Sequence, residues 1–152
     1  MSCKAEGLMF FEVAAANPLL GQMSEPVLKS LMTCGVLVEI GADEHLVRQG
    51  AHSDAAYLLV DGEVDVLIEN SYGSVHLTRL STGATIGEIG VFTGLPRNAS
   101  VIARGPIRAV RFARHDILRA GYDSPRFLRS IMGALRRSVY NYNNTLGFFT
   151  NA

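Results

Sequence analysis

Hydrophobic and polar positions along the chain fall into three stretches with different periods. Over residues 8–34, Leu19, Leu20, Met23, Val27, Leu28, Leu31 and Met32 recur at steps of three and four, the spacing of a helix face. Ser24 is a good N-cap, Glu25 and Pro26 suit the first turn, and Gly35 is a natural stop. Residues 36–113 hold short runs rich in Val, Ile and Leu. They predict strands at Val36–Ile40, His45–Gln49, Ala56–Val60, Val64–Glu69, Val75–Leu80, Arg97–Ala103 and Ile107–Phe112. Turn residues separate these runs, and Asp61-Gly62 between two of them is the strongest local hairpin signal. Strands at this spacing suggest a sandwich, barrel or roll and not alternating β-α units. Residues 114–145 return to the helical period. His115–Ala120 is a short piece stopped by Gly121, and Pro125 opens a longer helix with a stripe of Leu128, Ile131, Leu135, Val139 and Tyr142. Arg126, Arg129, Arg136 and Arg137 lie largely off that stripe. The stripe suits core packing or a homodimer seam, but two heptads are too few for a coiled coil.

Composition narrows the class. The 152 residues are 48% hydrophobic, enough for one domain of about 150 residues to fold without a disulfide or metal. Formal net charge is zero, where a nucleic-acid binder carries a basic excess, so no nucleic-acid partner is expected. The zero hides an asymmetry. Residues 1–103 hold five basic and twelve acidic side chains, a net of −7, and residues 104–152 hold nine basic and two acidic, a net of +7. Interleaving of the two parts in one fold is the simpler reading, and a basic C-terminal face for an acidic partner is the sharper one. Cys3 and Cys34 make neither a disulfide framework nor a metal spacing. No charged n-region with a long apolar run opens the chain, and no run of about 18 apolar residues appears, so no membrane span is expected and the expected compartment is the cytoplasm. His45, His52, His76 and His115 are scattered, without ligand spacing, and Asp43-Glu44 and Asp61/Glu63 read as turn or surface acids. Neither a metal nor an enzymatic function is expected.

One stretch breaks the strand pattern. Residues 83–94 contain four glycines, which are costly in regular elements and let backbone approach a ligand. Glu88 to Phe92 can form one helical turn, whose free N–H groups favour an anion. Arg97, after the turn fixed by Pro96, can grip a phosphate through two parallel hydrogen bonds. Glu88 would repel a phosphate but can accept from a neighbouring hydroxyl such as a ribose 2′-OH. Glycines, Glu and Arg together describe a ribose-phosphate pocket.

Gly87-Glu88-Ile89-Gly90-Val91, four residues, then Pro96-Arg97-Asn98-Ala99-Ser100-Val101 resembles the phosphate-binding cassette of cyclic-nucleotide-binding domains. That family's pattern is Gly-Glu-Leu-Ala-Leu, a short spacer, then Pro-Arg-x-Ala. The nine-residue step from Glu88 to Arg97 matches the regulatory subunits of cyclic-AMP-dependent protein kinase. Upstream, Val47-Arg48-Gln49-Gly50 and Tyr57 through Val64 resemble the family's Gly-bounded strands and its Tyr-x-x-x-x-Gly-x-Val hairpin, and Gly83 sits where the family has a glycine. The resemblance covers roughly residues 18–145.

The resemblance implies a mainly β fold: a β-roll (a double-stranded β-helix or jelly-roll-like barrel) with N-terminal helices and a C-terminal helical lid. It implies a single domain over 1–152, with helices at 8–34, the roll at 36–113, the cassette at 86–100 and the late helices at 114–145. It implies that Glu88 accepts from the ribose 2′-OH, that Arg97 pairs with the cyclic phosphate, and that Gly87, Ile89 and Gly90 line the cassette. Asn98 and Ala99 lie beside phosphate and base, with Ala99 donating its backbone N–H, and Ile86, Leu77 and Val75 are apolar walls suggested by position. Three positions depart. Gly90 replaces Ala, which should loosen the cassette helix. Val91 replaces Leu. Asn98 stands where cyclic-AMP-selective members often have Ala and cyclic-GMP-selective ones Thr, and its amide can both donate and accept. Tyr140, Tyr142, Phe148 and Phe149 read as core or dimer packing, or one of them or Leu146 as a lid on the purine. Beyond the central helix only Asn143–Ala152 remain, too short for a helix-turn-helix module, so the expectation is a stand-alone sensor.

The expected function is reversible binding of cyclic AMP first and cyclic GMP second, signalled to an effector protein through the late helices. The alternative is a ligand-free domain in which Glu88 and Arg97 form a structural ion pair and the C-terminal helix serves as an interaction or oligomerisation surface.

Overall fold

The computed structural model describes residues 7–150, with side chains described through residue 137. Helix α1 (Phe11–Ala16), a 3-10 turn (Leu20–Gln22) and helix α2 (Glu25–Cys34) precede the sheets. Ser24 occupies the N-cap of α2, but its hydroxyl makes no capping bond. Gly35 does end α2, though not in the left-handed conformation of a common C-cap (φ −71°). It is needed for closeness: a Cβ there would lie 3.1 Å from the Phe112 ring and strike the Val110 side chain.

Eight strands follow: β1 (Val36–Ile40), β2 (His45–Val47), β3 (Ala55–Asp61), β4 (Glu63–Asn70), β5 (Gly73–Ser81), β6 (Thr85–Ile86), β7 (Ser100–Ala103) and β8 (Ile107–Ala113). Helix α3 (Glu88–Thr93) interrupts them, and α4 (Arg114–Tyr122) and α5 (Pro125–Thr150) close the described chain. The strands form two four-stranded antiparallel sheets, ordered β1-β8-β3-β6 and β2-β7-β4-β5. The expected β-roll with flanking helices is present, but its two sheets do not close into a barrel. The edge strand β6 is only two residues long and gives way to α3.

The Asp61-Gly62 signal does not make a hairpin. β3 pairs with β6 and β8, whereas β4 pairs with β5 and β7, so this turn carries the chain from one sheet to the other. Gly62 has φ +102°, and a Cβ on it would lie 2.7 Å from the Ile107 side chain and 2.9 Å from the Pro106 carbonyl. The glycine therefore serves a tight crossing over residues 106–107. The true hairpin is β4-β5, closed between Asn70 and Gly73. Two strands are also shorter than expected. His45–Gln49 ends at Val47, because the Gln49 N–H turns to the Ser100 hydroxyl (2.9 Å). Arg97–Ala103 begins at Ser100, because the Arg97 backbone bonds a loop, donating to Ala51 O (2.9 Å) and accepting from Gly50 N (2.8 Å).

The near-continuous apolar run of β3 has a plain cause: both its faces are buried. Ala56, Leu58 and Val60 join a cluster with Leu28, Met32, Ile117, Phe127 and Ile131, under the helices. Leu59 joins Val64, Ile86, Val101 and Ile107 inside the roll. A strand covered on two sides loses the alternation of a half-exposed one. In α5, Ile131 is buried but Leu128 and Leu135 are only half-buried, and the anchor is Phe127, which the stripe omitted. Full burial of such a ring contributes about 1.5–3 kcal/mol. The side chains of Val139, Tyr140, Tyr142, Leu146, Phe148 and Phe149 lie outside the described residues.

The charge asymmetry resolves in two ways. Within the roll the halves interleave: Arg104 meets Asp65 (3.2 Å), Arg108 meets Asp61 (3.6 Å) and Arg111 meets Asp54 (3.4 Å). On α5, Arg126, Arg129, Arg136 and Arg137 stay exposed, without an ion pair among the described residues. No described helix is long and apolar enough to cross a membrane.

Candidate ligand site

The site is built on the segment between β6 and β7. β6 pairs with β3 (Tyr57 with Ile86) and delivers the chain to Gly87. Gly87 is left-handed (φ +80°), and a Cβ on it would strike the Arg97 guanidinium. Only glycine permits both the turn and the arginine beneath it. Helix α3 then rises from Glu88, and Gly94, again left-handed (φ +72°), ends it. Pro96 leads into Arg97, which is buried (7% exposed) although it carries a charge.

The Arg97 guanidinium is held by backbone oxygens. Nη1 donates to Gly87 O (3.1 Å) and Nη2 donates to Ala55 O. Burial pushes its pKa down, opposed by Tyr57, Asp54 and Glu88. A guanidinium has five N–H donors, so these bonds leave donor capacity for a ligand. Glu88 is half-buried, and burial pushes its carboxyl pKa up, with its own backbone N–H and the Arg97 charge opposing. No ion pair joins Glu88 to Arg97, and no described side chain hydrogen-bonds the Glu88 carboxylate.

Both residues open on one cavity of about 630 Å³. Of the residues singled out in the sequence, Ile86, Gly87, Glu88, Ile89, Gly90, Leu77, Arg97, Asn98 and Ala99 line it. Val75 does not. A register shift between Val66 and Leu67 leaves Leu77 as an extra residue of β5, between His76 and Thr78. The cavity also takes in Val66, Ile68 and Thr78 from the β4-β5 hairpin, and Ala134 and Arg137 from α5. Tertiary approach brings α5 there, and no local signal in the sequence marks it. Among the described residues no cluster of His, Cys, Asp or Glu could hold a metal ion.

The cassette is tied to the late helices at two points. Arg114, the first residue of α4, donates from Nε to Val91 O (2.8 Å) at the end of α3. Phe92 packs against Phe127 of α5 (centroids 5.6 Å apart, planes at 52°) and against Gly121, where a Cβ would lie 2.9 Å from its ring. It is also tied to the N-terminal segment. Asn17, buried, donates to Gly83 O (2.7 Å) and accepts from the N–H groups of Leu19 and Leu20. The sequence gives Asn17 no distinguishing pattern.

Comparison with known proteins places these features in a wider set. The family described as "Cyclic nucleotide-binding domain" matches residues 37–121. The chain is similar to a cAMP-dependent protein kinase type II regulatory subunit of Drosophila melanogaster, 26% identical over 138 residues, 91% of this chain and 35% of that protein. It therefore spans about a third of that relative's length. Its fold is similar to the sensor domain of the transcriptional regulator DNR from Pseudomonas aeruginosa (TM-score 0.79, 20% identity, 95% of each chain). It is also similar to the regulatory domain of Toxoplasma gondii PKA in a structure with cAMP (TM-score 0.76, 18% identity, 91% of this chain and 51% of that one).

Proposed function

We propose that this chain, which belongs to the cyclic nucleotide-binding domain family, binds a 3′,5′-cyclic nucleotide reversibly as a regulatory sensor, cyclic AMP ahead of cyclic GMP. One observation carries the reading: Glu88 and Arg97 converge on a single cavity without pairing with each other. A structural ion pair would have consumed both charges. Here Arg97 keeps donors for a cyclic phosphate, and Glu88 keeps acceptor capacity for a ribose hydroxyl. Asn98 and Ala99 line the same cavity, as do Ile86 and Leu77, and in this reading the first two serve the phosphate and base and the last two are apolar walls. The order of the two nucleotides is supported by the cAMP-dependent kinase relative and by the neighbour solved with cAMP.

The signal follows from the ties already described. Phosphate on Arg97 and the first turn of α3 draws the cassette inward. Arg114 and Phe92 carry that movement to α4 and α5, and α5 also reaches the cavity through Ala134 and Arg137. The nucleotide shifts the population between two packings of these helices, by no more than its difference in affinity for them. An effector protein then reads the exposed arginine face of α5, in the cytoplasm, and no bond is broken. Homodimerisation through the half-buried Leu128 and Leu135 is a second use of the same helix.

The test is calorimetric titration of the chain with cyclic AMP and cyclic GMP, beside Arg97→Ala and Arg97→Lys. Micromolar or tighter binding, weakened in both variants, is expected. The lysine keeps a charge over the Gly87 and Ala55 carbonyls and guards against a folding failure of the alanine. Absence of binding by the wild-type chain to both nucleotides would overturn the reading in favour of a ligand-free module.

A further inference from the structure

Gly90 is the position at which this chain departs most visibly from the Ala of its family's pattern, and its backbone does not explain the glycine. It lies inside α3 without the positive φ found at Gly87 and Gly94. Glycine inside a helix is less favourable than alanine, so something outside the helix requires it. A Cβ on Gly90 would lie 2.7 Å from Ser53 Cβ and strike Ser53 Oγ. Ser53 is itself buried, and its hydroxyl donates to Leu95 O (2.7 Å), across the loop that carries Arg97. Gly90 thus has a packing role beside whatever looseness it gives the cassette helix. The helix closes onto a serine that the glycine admits.

Ser53 is the side-chain member of a wider clasp. Gly50 N donates to Arg97 O (2.8 Å), Arg97 N donates to Ala51 O (2.9 Å), and Arg97 Nη2 donates to Ala55 O. Residues 50–55 thus fix the loop at 95–97, while the same segment sets how near α3 can come. We propose that Ser53 and Gly90 form a size-matched pair, with Ser53 a positioning residue that sets the spacing between α3, which carries Glu88, and the loop that carries Arg97. This rests on the cyclic-nucleotide reading, because the spacing matters for a ligand that must touch both residues.

The test titrates five variants, Arg97→Lys alone among them, with whichever cyclic nucleotide the wild-type chain binds more tightly, and records the thermal midpoint of each free protein. Gly90→Ala is expected to weaken binding about tenfold or more and to lower the midpoint. Ser53→Gly combined with Gly90→Ala is expected to raise the midpoint again and to bind more tightly than Gly90→Ala alone, short of wild type by the roughly threefold to tenfold that the lost bond to Leu95 costs, the non-additivity of residues in contact. Ser53→Ala keeps the volume but loses the bond to Leu95, and should weaken binding about threefold to tenfold. The same change made on Arg97→Lys should have little further effect, since Ser53 acts through the arginine loop. A Gly90→Ala chain that binds as tightly as wild type, a double variant no better than Gly90→Ala, or a Ser53→Ala effect undiminished on Arg97→Lys would each overturn the proposal. If the wild-type chain binds neither nucleotide, the cyclic-nucleotide reading fails, and the proposed role of Ser53 in placing a ligand contact fails with it. The size match is then judged by the midpoints alone: a fall in Gly90→Ala reversed in the double variant upholds it, and any other pattern overturns it.

Discussion

Two clusters of charge in this molecule are built on opposite plans. On the exposed face of the β4-β5-β7 sheet, Asp65 is surrounded: His76 Nε2 lies 2.8 Å from its carboxylate, and Arg79 Nε and Arg104 Nη1 lie 3.2 Å away. The His76 hydrogen bond leads in holding the Asp65 pKa down at about 2, with Arg79 and Arg104 adding to it against partial burial. In the cavity, Glu88 is buried enough for its pKa to rise, yet among the described residues it has no cationic partner within ion-pair reach, and Arg97 donates to backbone carbonyls. The first plan satisfies every charge and holds strands together. The second leaves a carboxyl group and a guanidinium facing one cavity without pairing, the arrangement on which the proposed nucleotide site rests.

The contrast can be broken most forcefully at Arg97. Replacement by Ala should reduce cyclic-nucleotide affinity by about 1.5–3 kcal/mol, or roughly 10- to 150-fold, the range for losing a charged hydrogen-bond partner. Titration calorimetry reads it, and an unchanged affinity would mean that the guanidinium serves only the Gly87 and Ala55 carbonyls.

Glu88→Gln should act in two directions. Affinity should fall about tenfold or more, since the carboxylate is a stronger acceptor than the amide. Stability of the free chain should rise, because the fold disfavours the charged carboxylate. The sign follows from linkage: a pKa raised on folding makes ionisation destabilising above the raised pKa, and the penalty disappears below the ordinary value near 4.5. The gain in thermal midpoint from Gln should therefore be present at neutral pH, shrink as pH falls through the raised pKa, and be gone below 4.5. A variant no more stable than wild type at pH 7 would show that Glu88 is already satisfied.

Asp65→Asn should have the smallest effect. Its pKa is lowered on folding, so its contribution is present above about 3.8 and is lost as pH falls towards 2. Solvent screens the cluster, and the loss should stay within about 1 kcal/mol, read as a small fall in thermal midpoint with no change in affinity. A change in affinity as large as that of Arg97→Ala would erase the distinction between the clusters.

Much of this contrast can be read along the chain, because its parts are local. The Gly87-Glu88 and Pro96-Arg97 half-motifs mark the cavity, and glycine-bounded apolar runs mark most strands. What escapes is non-local. Whether Asp61-Gly62 closes a hairpin or crosses between sheets depends on the strands that later flank β3 and β4. The two-residue β6 is hidden in a glycine-rich stretch, and Phe127 becomes an anchor only when Phe92 meets it. Thr78 and Arg137 reach the cavity through a register shift and a helix approach, neither of which has a periodic signature. Ser53 looks like an ordinary loop serine until Gly90 is placed against it.

The most direct test sets Arg97→Lys against Asp65→Asn in one titration series with cyclic AMP and cyclic GMP. Expected is saturable binding by the wild-type chain, unchanged in Asp65→Asn and weakened at least tenfold in Arg97→Lys, since lysine keeps the charge but loses the fork. Equal affinities in all three proteins, or no binding in any, would contradict the claim that the cavity charges are held for a ligand.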